Sequence, residues 1–206
     1  MRGNLYIVSA PSGSGKTTLL DQIITKFENL IFSVSYTTRK PRGAEQDGVE
    51  YYFVGHDEFH QMADQGEFLE FAEVHGNYYG TSSQFVEENI SAGRSVILDI
   101  DVQGKRKVQE KAPDAVTVFL MPPSYGELER RLKARQLEDD ETIRMRLLIA
   151  KQEIQQYQDY NYIVINDNID ESSTALESVI RAGATRPENQ VTRIREIIDT
   201  FGGVDC

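Results

Sequence analysis

The sequence predicts an α/β fold in three layers, a mainly parallel sheet with helices on both faces. Three observations carry that expectation. A short apolar run, Leu5-Tyr6-Ile7-Val8, feeds a Gly/Ser-rich turn and then a helix-like stretch with Leu19, Leu20, Ile23 and Ile24 on its apolar side. Further short β-rich runs alternate with helical stretches along most of the chain, the pattern of parallel strands joined by crossover helices. Two segments interrupt the alternation: 36–94, a long insertion with its own turns, and 130–146, dense in charge.

The first strand is read at 4–9, and the turn after it is Ala10-Pro11-Ser12-Gly13-Ser14-Gly15-Lys16-Thr17. Strand, tight turn and helix in that order is the setting of a P-loop. Small residues at 12–15 let the backbone curl until successive N–H groups converge on phosphate oxygens. The helix after the turn, read over 16–27, adds the positive end of its dipole. Lys16 can reach the β- and γ-phosphates of a nucleotide, and the Thr17 hydroxyl can ligate Mg²⁺. The one departure is Ala10 where the motif has glycine; alanine fits if φ stays negative there.

The remaining core strands are expected at 30–35, 95–100, 115–121 and 162–165, each rich in Ile, Val, Leu or Phe. Helices are expected near 101–111, 124–135, 141–159 and 171–182. Ser124-Tyr125-Gly126-Glu127 after Pro122-Pro123 reads as a capping box. The core is thus 1–35, 95–129 and 147–182, interrupted by the insertion 36–94 and by the charge-dense segment 130–146. Residues 184–206 form a tail with one further helix and no assigned chemistry.

Bulk properties set limits. The chain has 206 residues, 39% hydrophobic and 27% charged, normal for one globular domain. A net charge of −11 argues against general affinity for nucleic acid or anionic membrane, so any anion site must gather its own Lys and Arg. One cysteine, Cys206, cannot staple a fold or build a thiolate cluster, which suits a reducing cytoplasm. No signal peptide or long apolar span is read. His56 and His60 sit four apart on an expected helix without a third ligand, and with His75 they read as surface histidines.

The insertion opens Ser35-Tyr36-Thr37-Thr38-Arg39-Lys40-Pro41-Arg42, two arginines three apart around a proline. Each guanidinium can hold phosphate oxygens bidentately, although a short basic cluster is more often a solvated turn. Tyr51 and Tyr79 can each donate a hydroxyl to phosphate, or simply pack a hairpin beside Gly48 and Gly80. Thr81 can equally cap the following helix, with Gln84 completing the box. The strand ending Leu98-Asp99-Ile100-Asp101 puts two carboxylates at the sheet edge where open α/β folds bind ligands. A helix N-cap explains Asp101 well and Asp99 poorly.

Together these residues resemble the guanylate kinase family over about residues 4–183. The resemblance rests on Ser35…Thr-Thr-Arg39-x-Pro-Arg42, Glu70, Gly76-Asn-Tyr-Tyr-Gly80, Ile97-Leu-Asp99-Ile-Asp101-x-Gln103-Gly104 and Val164-Ile-Asn166-Asp167. Ser9 before the P-loop is similar to the bacterial form. The resemblance implies transfer of the γ-phosphate of ATP to GMP or dGMP, with Mg²⁺, as part of GMP recycling in purine metabolism. It implies guanine contacts from Ser35, Glu70, Thr81 and Asp101, and GMP-phosphate contacts from Arg39, Arg42, Tyr51 and Tyr79. It makes 36–94 the GMP-binding insertion and 130–146 a lid, from which Arg135 and Arg146 would descend onto the ATP phosphates, and Arg131 and Asn166 would contact adenine. Asp99 would act in catalysis by orienting the metal's water shell. Guanine's chemistry agrees, since N1–H and N2–H₂ are adjacent donors that match one carboxylate, and O6 and N7 are acceptors that match hydroxyls. Gln136-Leu137 departs from the family, which often has glycine after the lid arginine. The rival reading is a guanylate-kinase-like interaction module, which typically loses the phosphate lysine or the GMP-reading residues; Lys16, Arg39, Arg42 and Glu70 are all present here. Monomer and homo-oligomer both remain open.

Overall fold

The computed structural model describes residues 2–74, 76–134 and 139–202. In chain order it has β1 (Leu5–Ser9), α1 (Lys16–Ile24), β2 (Leu30–Phe32), β3 (Tyr36–Thr37), β4 (Tyr52–Phe53), α2 (His56–Asp64), β5 (Phe68–Val74), β6 (Asn77–Ser82) and α3 (Ser83–Ser91). There follow β7 (Ser95–Asp99), α4 (Val102–Lys111), β8 (Val116–Met121), α5 (Tyr125–Ala134), α6 (Asp140–Ile154), β9 (Tyr162–Ile165), α7 (Ile169–Gly183) and α8 (Val191–Thr200).

Five strands make a wholly parallel sheet in the order β2-β7-β1-β8-β9. The chain leaves β1 to build β2 and β7 on one side, then crosses to β8 and β9 on the other. The switch point therefore lies at β1, and the crevice opens beyond the carboxyl ends of these strands. β1 shows how the layers form. Side chains alternate across a strand, so Tyr6 and Val8 join one cluster with Leu19, Leu20 and Ile23 of α1 and Leu176 and Ile180 of α7. Leu5 and Ile7 face the other way, into a cluster with Val86 and Ile90 of α3 and Val108 of α4. Both faces are thus covered, which is why the core strands read as continuous apolar runs.

The second sheet, β4-β3-β6-β5, is built from 36–82. Its aromatic core stacks Phe59 of α2 on Phe68 at 4.5 Å and on Tyr78 at 5.5 Å. A third apolar cluster joins α5 and α6 through Leu128, Leu132, Ile143, Leu147 and Ala150. The expected Arg135, Gln136 and Leu137 of the lid lie outside the described residues, as do His75 and Cys206.

Several expectations shift. The strand read at 30–35 stops at Phe32, because the chain then turns away to begin the second sheet. The helix read to 159 ends at Ile154, and a separate 3₁₀ turn covers Tyr157–Asp159. Of the capping box at Ser124, one half forms: Glu127 N donates to Ser124 Oγ at 3.1 Å. The Glu127 carboxylate is instead occupied by Arg130 and Arg131. Thr81 does not cap α3. Ser82 does, accepting from Phe85 N at 3.2 Å, while Gln84 donates to Glu88. His56 and His60 do lie exposed on α2, and both rings pack edge-on to Tyr78. Among the described residues no helix is long and apolar enough to cross a membrane.

Candidate active site

The turn after β1 is a cradle by backbone conformation. Gly13 and Gly15 have φ of 92° and 89°, a left-handed geometry costly to other residues. A side chain at either position would also crowd its neighbours. A Cβ at Gly13 would stand 2.8 Å from Leu132 Cδ2, and one at Gly15 would stand 2.6 Å from Asn166 Nδ2. The loop is braced from behind. Asn166 Nδ2 donates to Ser14 O at 2.7 Å, and Arg131 reaches Asn166 O at 3.0 Å. In this structure Arg131 and Asn166 thus pack against the back of the loop, while residues 10–17 line the cleft in front.

That cleft, about 730 Å³, runs from the P-loop to the second sheet. Register sets one wall. Val8 pairs with Asp99, so the carboxylate that ends β7 lies level with the entry to the cradle. There Asp99 forms an ion pair with Lys16. Asp101 also lines the cleft, and its Oδ1 accepts from Gly104 N at 2.7 Å, so it is an N-cap as well as a cleft residue. Among the described residues no group of three or more His, Cys, Asp or Glu side chains is placed to hold a metal. At the cradle end of the cleft, the Thr17 hydroxyl and the Asp99 carboxylate are hard oxygen donors. That set fits Mg²⁺, which keeps several waters and takes further ligands from substrate phosphates.

At the far end lie Ser35, Tyr51, Glu70 and Tyr79. Glu70 is buried on β5, and burial pushes its carboxyl above the usual carboxylate range. Thr81, its neighbour on β6, donates its hydroxyl to Glu70 Oε1 at 2.8 Å. A hydroxyl has one proton to give, so Thr81 orients the carboxylate here. Gly104 leaves room for it, because a Cβ there would sit 3.1 Å from Glu70 Oε2.

Arg39 and Arg42 do not line the cleft. Arg39 is buried behind Tyr51, its guanidinium carbon 5.2 Å from the ring centre, and Tyr51 meets Tyr79 edge-on at 5.8 Å. Arg39 Nη1 and Nη2 donate to Glu45 Oε2 and Oε1 at 3.0 and 2.9 Å. Arg42 is exposed. On the lid side, Arg146 of α6 lines the cleft and donates to Ser12 Oγ at 3.3 Å.

Reading the sequence misses Glu45 and the α6 face that follows Arg146. Ile149 and Glu153 line the cleft at helical spacing from Arg146, with Gln156 beside them just beyond the helix, so periodicity is the signal that finds the helical pair. Burial raises the Glu153 carboxyl from 4.5 to about 7, with nearby Asp101 adding to the shift and Lys16 opposing it.

The family model described as guanylate kinase matches residues 2–183. The chain belongs to the guanylate kinase family. It is 50% identical to a guanylate kinase of Geobacter sulfurreducens over 195 residues, covering 95% of this chain and 96% of that one. A guanylate kinase of Aliivibrio fischeri is 45% identical over 202 residues, covering 97% and 98%. The crystal structure of guanylate kinase from Anaplasma phagocytophilum matches with a TM-score of 0.79 at 34% identity, covering 99% of this chain and 97% of that one. The guanylate kinase family match takes in the core, the second sheet and the α5–α6 hairpin together.

Proposed function

We infer that this chain is an ATP:GMP phosphotransferase, transferring the γ-phosphate of ATP to GMP to give ADP and GDP. The observation that carries the reading is a single cleft lined by a P-loop lysine at one end and by a buried carboxylate, Glu70, at the other. The separation suits two nucleotides whose phosphates meet in the middle. Nothing favours the interaction-module reading, since the residues such modules lose are present.

The chemistry needs positioning and charge neutralisation rather than a covalent intermediate. The P-loop amides and Lys16 bind the triphosphate. Mg²⁺, held by Thr17 directly and by Asp99 through water, would neutralise phosphate charge when bound. Lys16 exchanges Asp99 for phosphate oxygens as the nucleotide enters. Arg146 and Arg135 supply further positive charge from the lid side. Arg39, Arg42, Tyr51 and Tyr79 hold the acceptor phosphate, itself an anionic nucleophile that needs no general base. Ionised Glu70, oriented by Thr81, accepts from guanine N1–H and N2–H₂, and Ser35 and Asp101 complete the base site. Arg131 and Asn166 contact the adenine of ATP at the edge of the loop they brace. The segment 36–82, the expected insertion 36–94 less α3, which packs into the core, acts as the acceptor-binding subdomain and 130–146 as the lid. One cysteine in 206 residues and a net charge of −11 support a cytoplasmic enzyme whose partners are its nucleotides.

Coupled ADP release measured with AMP, CMP, UMP and GMP as acceptors tests this. GMP supports turnover and the other three do so very poorly. Equal use of a second nucleotide overturns the reading.

A further inference from the structure

We propose that Glu45 is a positioning residue for the acceptor phosphate, holding the guanidinium of Arg39 so that one chosen edge faces the ligand. The proposal rests on the reading above, in which Arg39 takes that phosphate. Three bonds converge on the Glu45 carboxylate. Arg39 Nη1 and Nη2 donate to its two oxygens at 3.0 and 2.9 Å, and Arg42 N donates to Oε2 at 2.7 Å. One side chain therefore fixes the head of the first arginine and the backbone of the second.

Counting donors shows what this arrangement reserves. A guanidinium has five N–H bonds in a rigid plane. Nη1 spends its two on Glu45 and on Lys40 O, the latter at 2.8 Å, and Nη2 spends one on Glu45. Nε–H and the second Nη2–H are parallel neighbours on the side edge, the fork that matches two phosphate oxygens. Glu45 thus takes the end of the fork and leaves the side edge to an anion and to the Tyr79 hydroxyl, which also interacts with Arg39. Tyr51 and Phe53 pack over the plane, with centroids 5.2 and 5.9 Å from the guanidinium carbon, so rotation is restricted too. The Glu45 side chain is 22% exposed and Arg39 10%, which makes the pair a built feature rather than a chance surface contact. Without Glu45, Arg39 can turn its end edge toward the cleft or collapse onto another acceptor, and binding a phosphate then costs the ordering that Glu45 had already supplied.

The test measures Glu45→Gln and Glu45→Ala beside Arg39→Ala. Equilibrium binding of GMP and of guanosine is read in the same preparation, so that a partly unfolded fraction cancels in the ratio. KM for GMP and for ATP are measured alongside. The expected result is a loss of about 10-fold in GMP affinity with guanosine affinity and KM for ATP unchanged. Glu45→Ala made in the Arg39→Ala background adds less than it costs alone, the remainder being its hold on Arg42 N; an equal cost in both backgrounds overturns the coupling to Arg39. Unchanged or tighter GMP binding in both Glu45 variants, with Arg39→Ala impaired, overturns the proposal and makes Glu45 a bystander or a competitor. If Arg39→Ala itself leaves GMP binding intact, the phosphate assignment on which the proposal rests has failed instead.

Discussion

At the residue scale, Lys16 and Glu70 do opposite electrostatic work. Lys16 is paired with Asp99 at the mouth of the cradle, so its charge is already in place before nucleotide arrives. On the proposed reading, Lys16→Ala removes the charge that meets oxygens developing negative charge, and a contact of that kind is worth on the order of 10²-fold or more in rate. Turnover is expected to fall at least that far in a steady-state assay, while GMP binding by titration stays close to wild type. A variant that keeps most of its kcat means that the loop does not hold the transferred phosphate.

Glu70 is buried, and on the proposed reading it reads the base. A site built to hydrogen-bond a substrate group rejects analogues lacking it by up to about 10⁴–10⁵. Glu70→Gln offers one acceptor where the carboxylate offers two, so kcat/KM for GMP is expected to drop and the GMP/AMP ratio to narrow. The carboxyl also titrates above the usual range because it is buried. Its ionised form, the one that accepts two N–H donors, is therefore populated only as pH rises through that elevated pKa. KM for GMP should fall as pH rises through this region in the wild type and stay flat there in Glu70→Gln. An unchanged GMP/AMP ratio means that the base is read elsewhere.

At the scale of an element, α6 is the helix whose role was least legible. Arg146 stood out by charge. Glu153 did not, because on its own a glutamate on a helix is an ordinary solvated residue. Only the packing of Ile143, Leu147 and Ala150 against α5 fixes the rotation of the helix and turns Glu153 into the cleft. The consequence is measurable. Its carboxyl rises from 4.5 to about 7 on folding, so the unfolded chain releases that proton first. Stability from this group is complete below about pH 4.5 and is lost as pH rises to about 7. Glu153→Gln is expected to stabilise the unliganded protein by about 1–2 kcal/mol at pH 8, the full linkage figure being reduced because the group is part-exposed. Urea denaturation at pH 8 and pH 5 checks it. The gain should shrink at the lower pH, and an equal gain at both would assign the effect to something other than ionisation.

At the scale of the whole molecule, the charges needed at one phosphate begin apart. Arg39 is held by Glu45 behind Tyr51, while Lys16 and Arg146 lie at the P-loop. Bringing them to one phosphoryl group requires the second sheet and the α5–α6 hairpin to approach the core, which would also exclude water as a competing acceptor. Hydrogen exchange with a bisubstrate analogue is expected to show protection in 36–82 and in α5–α6, and small-angle scattering a smaller radius of gyration. No change in either measurement argues against closure.

What the sequence determined by itself is what short stretches of chain can hold. The cradle is legible because a backbone that turns back on a phosphate needs glycine or small residues within a few positions, and a lysine and a threonine directly after them. The parallel sheet is legible because strands buried on both faces must be apolar throughout. Tertiary structure alone decided the pairings. Asp99 meets Lys16 because β7 pairs with β1 in one register, and Thr81 serves Glu70 because β6 lies against β5. Arg39 is given to Glu45 because a short loop folds back upon itself. Each of these depends on register, helix rotation or loop closure, and a shift of one residue would redirect every side chain involved. Residue type sets which contacts are possible, and packing chooses among them, because only the packed chain makes the energetic cost of an unpaired buried charge large enough to decide.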